Sequence, residues 1–157
     1  MIERLRRSVW VTRLLHVYWR FARGLTVGVR GLVLDGDGAV FLVKHAYAAG
    51  WHLPGGGVEP GEALVEALRR ELAEEGHLEL TAPPLLHGIY FQDRYSNRDH
   101  IALFVVRAFR QTSHPPPNRE IAECGFFPLA ALPEATTAST RACIAEVLRG
   151  DAARERW

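Results

Sequence analysis

The chain has 157 residues, of which 48% are hydrophobic and 24% charged, and its formal net charge is +1. That length suits one domain able to bury a core without disulfides or a structural metal. The near-neutral balance argues against a stable nucleic acid partner, and no apolar run is long enough to span a membrane.

Residues 1–24 read as an N-terminal amphipathic helix ahead of a domain over 25–150. Within 2–22, Leu5, Val9, Leu15 and Trp19 are apolar at near-helical spacing, with Arg4, Arg6, Arg7, Arg13 and Arg20 interspersed. The arginines are scattered around the helix, which favours packing on the domain or on a second subunit. Docking on a membrane surface or a partner is the alternative. Arg13 interrupts the apolar stretch Val9–Leu15 and no small-residue cleavage site follows, so a cytoplasmic protein is expected.

From Leu25 to Leu34 and from Ala39 to Lys44 two β-branched runs flank Asp35-Gly-Asp-Gly38, which predicts a β-hairpin. Residues 61–76 read as a helix with Leu64, Val65, Leu68 and Leu72 on one stripe. Strands are expected at Leu85–Phe91 and His100–Phe109, and a loop at 111–118, where three prolines exclude regular structure. Phe126–Leu129 fits a short strand, and Thr137–Leu148 a closing helix capped by Thr137 or Thr140. The order points to an α/β layered fold with a mixed sheet. Cys124 and Cys143 lack CxxC spacing and read as buried, reduced thiols.

The chemistry concentrates after Trp51. Gly55, Gly56 and Gly57 lead through a turn into the helix, exposing backbone to a ligand. No Lys-Ser/Thr ending follows, so a P-loop is disfavoured. On the helix, Glu71 and Glu75 nearly overlie each other and Glu74 lies about 60° away. Like charges at this spacing repel, and a hard cation that prefers carboxylate oxygens reverses the cost. A solvated acidic face is the competing reading. The glycine loop, and the position of the glutamates beside the apolar stripe, favour a metal site.

The segment resembles the Nudix box, G-x5-E-x7-R-E-U-x-E-E-x-G-U, where U is a bulky aliphatic residue. Gly56, Glu62, Arg70, Glu71, Leu72, Glu74, Glu75 and Leu78 stand in register. The departure is His77 in place of the last glycine, with Gly76 before it. The resemblance therefore implies a shifted helix end without loss of chemistry, since His tolerates left-handed backbone better than most residues.

The Nudix hydrolase family implies an α/β/α sandwich with a mixed central sheet, here with the extra N-terminal helix. It also implies hydrolysis of a nucleoside diphosphate linked to another moiety. Glu71, Glu74 and Glu75, with the carbonyl of Gly56 or Gly55, would bind Mg2+ or Mn2+. Arg70 would orient a carboxylate of the cluster, and Glu62 would tie the loop to the helix, pairing with Arg70. The metal would neutralise the diphosphate and activate a water. The general base is either a box glutamate such as Glu71 or a later one, Glu120 or Glu123. The last two read equally as surface residues.

Substrate choice lies outside the box. Tyr47 and Trp51, with His45 and His52, are candidates to line a pocket and stack on a base. The alternatives are core packing for Trp51 and surface exposure for His45 and Tyr47. Tyr90, Phe91, Arg94, Tyr95, Asn97, Arg98, Asp99 and His100 form a second cluster, in which Arg94 and Arg98 either grip phosphates or are solvated turn residues. The expected partner is a small nucleotide-type diphosphate, with a homodimer as the family tendency. A catalytically silent, nucleotide-binding regulatory domain is the competing function, and the intact Glu71, Glu74 and Glu75 argue against it.

Overall fold

A computed structural model describes residue 18, residues 24–94 and residues 96–157. Apart from Tyr18 and Gly24, the segment expected as an N-terminal helix lies outside the described residues, as does Tyr95 of the second cluster. In chain order the elements are β1 (Thr26–Val33), β2 (Val40–His45), α1 (Leu64–Gly76), β3 (Leu78–Leu80), β4 (Leu85–Gln92), β5 (Asp99–Val106), β6 (Phe109–Gln111), β7 (Ile121–Phe127) and α2 (Ala138–Arg149). A single 3-10 turn, Leu129–Ala131, precedes α2.

The sheet is mixed. β1 runs parallel to β5, and β5 pairs antiparallel with β4. β2 pairs antiparallel with β7, and β3 with β6. Alternation along the strands sends side chains to two faces. Val29, Val33, Phe41, Val43, Ala102 and Phe104 meet Ala67, Leu68 and Leu72 of α1. Leu32, Val40, Leu42 and Leu103 face the other way, toward Cys143 and Ile144 of α2. The result is a sheet layered between helices. Gly31 sets the approach of α1, because a Cβ there would stand 3.1 Å from Leu68 and 3.3 Å from Leu72. Both cysteines are free and buried.

The strand pairing and the helix and strand ends differ from the sequence expectations. The Asp35–Gly38 turn forms, with the Asp35 carboxylate accepting from the N–H groups of Asp37 and Ala39 at 3.0 and 2.8 Å. The flanking strands do not make a hairpin ladder, however. One bridge, Leu34 to Val40, joins them, and each then finds its ladder elsewhere, because both faces of both strands are apolar and must be buried. The helix expected from residue 61 begins at Leu64. Gly61 sits at φ +89°, and the Glu62 N–H bonds the Glu59 carbonyl at 3.0 Å, which closes a turn ahead of the helix. The Glu66 carboxylate then caps the Ala63 N–H at 2.8 Å. The expected strand at 126–129 begins earlier, at Ile121, and stops at Pro128.

The end of α1 is not shifted either. His77 itself takes the left-handed cap, at φ 50°, and its N–H bonds the Ala73 carbonyl. Gly76 serves packing, since a Cβ there would fall 2.8 Å from the Phe41 ring. At the other helix, Thr137 is the N-cap of α2, its hydroxyl accepting from the Thr140 N–H at 3.3 Å.

The tail after Gly150 continues the fold. It runs alongside β4, where the Phe91 N–H donates to the Glu155 carbonyl at 2.8 Å and the Trp157 N–H to the Phe91 carbonyl at 3.1 Å. Gly88 makes room, because a Cβ there would collide with Ala153 at 2.2 Å. Under the tail, buried Glu146 accepts from the Tyr90 hydroxyl at 2.5 Å and from the Arg154 N–H at 3.0 Å, with His87 Nε2 at 3.1 Å. Burial alone would raise the Glu146 carboxyl, and these hydrogen bonds bring it below its ordinary value.

Candidate active site

The glycine loop lies against the first strand. The Val29 N–H bonds the Gly56 carbonyl at 2.9 Å, and the Gly31 N–H bonds the Pro54 carbonyl at 2.9 Å. Gly55 has φ +135°, and a Cβ on it would meet the Val29 carbonyl oxygen at 2.1 Å, so only glycine fits. Arg30 buttresses the loop from behind. Its guanidinium donates to the Gly55 carbonyl and, at 3.4 Å, to the Leu53 carbonyl.

Helix α1 presents its acids to this loop. Arg70 is the hub: Nε donates to Glu62 at 3.0 Å, Nη1 to Glu71 at 2.6 Å, and Nη2 to Glu62 and to the Gly57 carbonyl, both at 3.0 Å. This fork fixes loop, turn and helix at once. Its hydrogen bonds, to Glu62 first and Glu71 second, raise the Arg70 pKa, and the same bond lowers that of Glu62. The Glu71 carboxylate lies so close to Gly56 that a Cβ on that residue would stand 2.4 Å from Oε1.

Glu75 is different. It is 3% exposed, and its Oε2 accepts the Gly55 N–H at 2.7 Å. Burial pushes its carboxyl up to about 8, against the opposing influence of the Gly55 N–H and Arg30. His45 Nε2 stands 3.6 Å from Glu75 Oε1. Burial, aided by Arg30 and His52, pushes His45 down to about 4. Both shifts disfavour charge on the two groups, so burial works against an ion pair between them.

The acids are not equivalent in placement. Glu74 is largely exposed, at 62% of its side chain, and reaches Arg70 at 3.7 Å. Glu120, just before β7, comes beside Glu75: one ligand atom each from His45, Glu75 and Glu120 lie within 4.8 Å of one another. Among the described residues Glu71, Glu74 and Glu75 do not close to that distance. Glu123 pairs with Lys44, before the bulge between Lys44 and His45, and is not one of the His45, Glu75 and Glu120 group.

A cleft of about 840 Å³ opens next to this centre, lined by Arg30, His45, Tyr47, His52, Arg94 and Trp157 among others. Tyr47, 72% exposed, stacks on His45 with ring centroids 5.1 Å apart. Of the proposed substrate contacts, Tyr47 and Arg94 line the cleft. Trp51 does not. It is 6% exposed and packs edge-on against Phe127 at 4.7 Å, because its apolar ring completes the core under α2. Arg98 also lies off the cleft, in the turn before β5, where its N–H bonds Ser96. Sequence reasoning missed Arg30, the first turn of α2 at 137–140, Arg154 and Trp157, all of which line the cleft.

The donors suit a hard divalent cation. A buried carboxylate with little compensation, a second one against a glycine backbone and a third from a loop supply oxygens of the kind Mg2+ and Mn2+ prefer. Metal binding would reverse the cost of ionising Glu75.

A NUDIX domain family model matches residues 24–147. A stretch of 48 residues is 52% identical to the nucleoside triphosphatase NudI of Escherichia coli O1:K1, covering 27% of this chain and 34% of that protein. The chain thus spans about a third of the length of that curated relative. Among solved structures, the MutT NUDIX hydrolase from Burkholderia pseudomallei is similar, with TM-score 0.66 and 26% identity over 78% of this chain and 97% of that one. An ADP-ribose pyrophosphatase from Streptococcus suis 89-1591 shares the fold, with TM-score 0.60 and 24% identity over 83% and 97% of the two chains.

Proposed function

Since the chain belongs to the Nudix hydrolase family, we propose that it is a metal-dependent pyrophosphohydrolase cleaving a nucleoside diphosphate linked to another moiety. The observation that carries the proposal is the Arg70 fork, which holds Glu62, Glu71 and the Gly57 carbonyl in one rigid unit beside the buried Glu75. A catalytically silent domain has no need to keep this cluster of like charges together.

Glu71, Glu74, Glu75 and the Gly56 carbonyl would hold Mg2+ or Mn2+. When bound, the cation neutralises the diphosphate and makes water a better nucleophile near neutral pH. Arg70 holds Glu71 on the loop, and Arg30 holds the loop itself. Glu120 fits the general base better than Glu123, because it alone of the two reaches the Glu75 cluster. Tyr47 offers an aromatic face and Arg94 a cation to the rest of the substrate in the adjoining cleft. A nucleoside triphosphate, the substrate class in the name of the NudI relative, falls within this definition, with phosphate as the linked moiety.

The test is phosphate release, coupled to a phosphatase, from a panel of nucleoside triphosphates, ADP-ribose, nucleotide sugars, dinucleoside polyphosphates and NADH. Turnover of one class with Mg2+ and none with chelator supports the reading. Tight binding of a nucleotide without any turnover would favour the silent domain instead.

A further inference from the structure

The cleft has a far wall that the glycine loop and its acids do not supply. It runs across the α2 side of the sheet from Arg30 on β1, past Ile101 on β5 and Gln92 on β4, to Arg154 and Trp157 in the segment after α2. That segment lies alongside β4 on its outer side, bridged at Phe91 and Arg156. From β1 to the segment is therefore three strand spacings, about 14 Å. At the β1 end the Arg30 guanidinium is fixed on the Gly55 carbonyl, whose own N–H bonds Glu75. At the other end the Trp157 ring stands edge-to-face with Tyr90, centroids 5.3 Å apart. Trp157 is only partly buried there, and it lines the cleft. Its support is firm. Buried Glu146 on α2 accepts from the Tyr90 hydroxyl and from both the backbone N–H and Nη1 of Arg154, at 3.0 and 3.1 Å. Strand, helix and segment are thus tied together, and the Arg154 guanidinium lies over the Tyr90 ring at 5.2 Å. An aromatic ring on such a support gives up little freedom when a ligand meets it.

We propose that Trp157 is the platform on which the nucleobase of the substrate stacks, so that the segment after α2 sets which ligands the cleft accepts. This rests on the hydrolase reading for the class of ligand, a nucleotide held by its phosphates at the Gly55 end. With its phosphates there, a nucleotide laid across the sheet carries its base away from β1 toward the outer side of β4. The indole offers that base a flat apolar face and asks for no particular pattern of donors and acceptors. The other aromatic candidates are placed differently. Tyr47 stacks on His45, which stands 3.6 Å from Glu75, so it belongs to the phosphate end. Trp51 is buried in the core.

The experiment titrates the full chain by calorimetry, in Mg2+, with AMP, GMP, CMP and UMP, and with ribose 5-phosphate, which keeps sugar and phosphate but has no base. Wild type binds at least one of the nucleotides more tightly than ribose 5-phosphate. Trp157→Ala weakens that nucleotide by about tenfold and leaves ribose 5-phosphate within about twofold. Trp157→Phe, which restores a ring, keeps most of the affinity. A ring that only covers Tyr90 would lower Tm in Trp157→Ala and leave the ratio of nucleotide to ribose 5-phosphate affinity unmoved, and that result overturns the proposal. So does a wild type that binds no nucleotide more tightly than ribose 5-phosphate, or a loss of base-dependent affinity in Tyr47→Ala with none in Trp157→Ala. Hydrolysis is read separately. If a substrate is turned over with a KM unmoved by Trp157→Ala, this inference fails and the hydrolase reading stands. If base-dependent binding needs Trp157 but nothing is hydrolysed, the reverse holds.

Discussion

Replacing Gly56 by alanine adds one carbon at the point where the loop meets Glu71. That carbon would sit 2.4 Å from Glu71 Oε1 and 2.7 Å from its Cδ. Ordinary contacts need about 3.5 Å, so the carboxylate must retreat by roughly 1 Å. The backbone at Gly56 is not left-handed, so alanine itself is tolerated, and the displaced group is the end of a flexible side chain. Stability should change by less than about 1 kcal/mol. Misplacing a reacting group by about 1 Å costs on the order of 10²-fold in rate, or about 2.7 kcal/mol of barrier. The assay is kcat/KM with Mg2+ beside a thermal melt. Gly36→Ala is the control, since a Cβ there meets nothing within 4 Å. Full activity in a folded Gly56→Ala protein would refute the argument that Glu71 must rest on Gly56.

Three further outcomes follow from the same geometry. Arg70→Lys cannot bridge Glu62, Glu71 and the Gly57 carbonyl together, so kcat should fall by about tenfold or more while the protein stays folded, measured by initial rates and circular dichroism. In metal-free protein, Glu75 has a raised folded pKa, so its contribution is fully present below pH 4.5 and is lost as pH rises through about 8. His45 has a lowered folded pKa, so its contribution is present above pH 6.5 and is lost as pH falls through about 4. Melts with chelator should show both losses, Glu75→Gln should remove the alkaline one, and Mg2+ should raise Tm more at pH 8 than at pH 5. Gly76→Ala drives a methyl to 2.8 Å from the fully buried Phe41 ring and should destabilise by about 1–3 kcal/mol in urea melts.

How much of this the sequence disclosed depends on the range of the interaction. Glu71, Glu74 and Glu75 sit in one helix, whose period fixes their relative directions, whereas the Arg70–Glu71 contact was implied only by the family resemblance, because adjacent helical residues do not face each other. The Thr137 cap and the proline loop are equally local. The pairing of strands is not. An Asp-Gly turn suggested a hairpin, yet burial on both faces sent β1 to β5 and β2 to β7. That long-range pairing, with its one-residue bulge, is what brings Glu120 and His45 to Glu75, and no short pattern announces it. Trp51 was ambiguous because an aromatic residue beside a glycine loop suits a pocket or a core. Arg30 was hidden inside an apolar strand, where its alternation with Val29 and Gly31 was the available sign that it faces away from α1.

On the proposed function, the carboxylates beside Gly55 and Gly56 hold a cation that drives hydrolysis of a phosphoric anhydride. The most direct measurement compares wild type with Glu75→Gln at saturating Mg2+ on the substrate the panel selects. The variant should fold and its turnover fall by about 10²-fold or more. Turnover that survives the substitution within about twofold would contradict it, because the buried carboxylate on the Gly55 N–H would then have no part in the reaction.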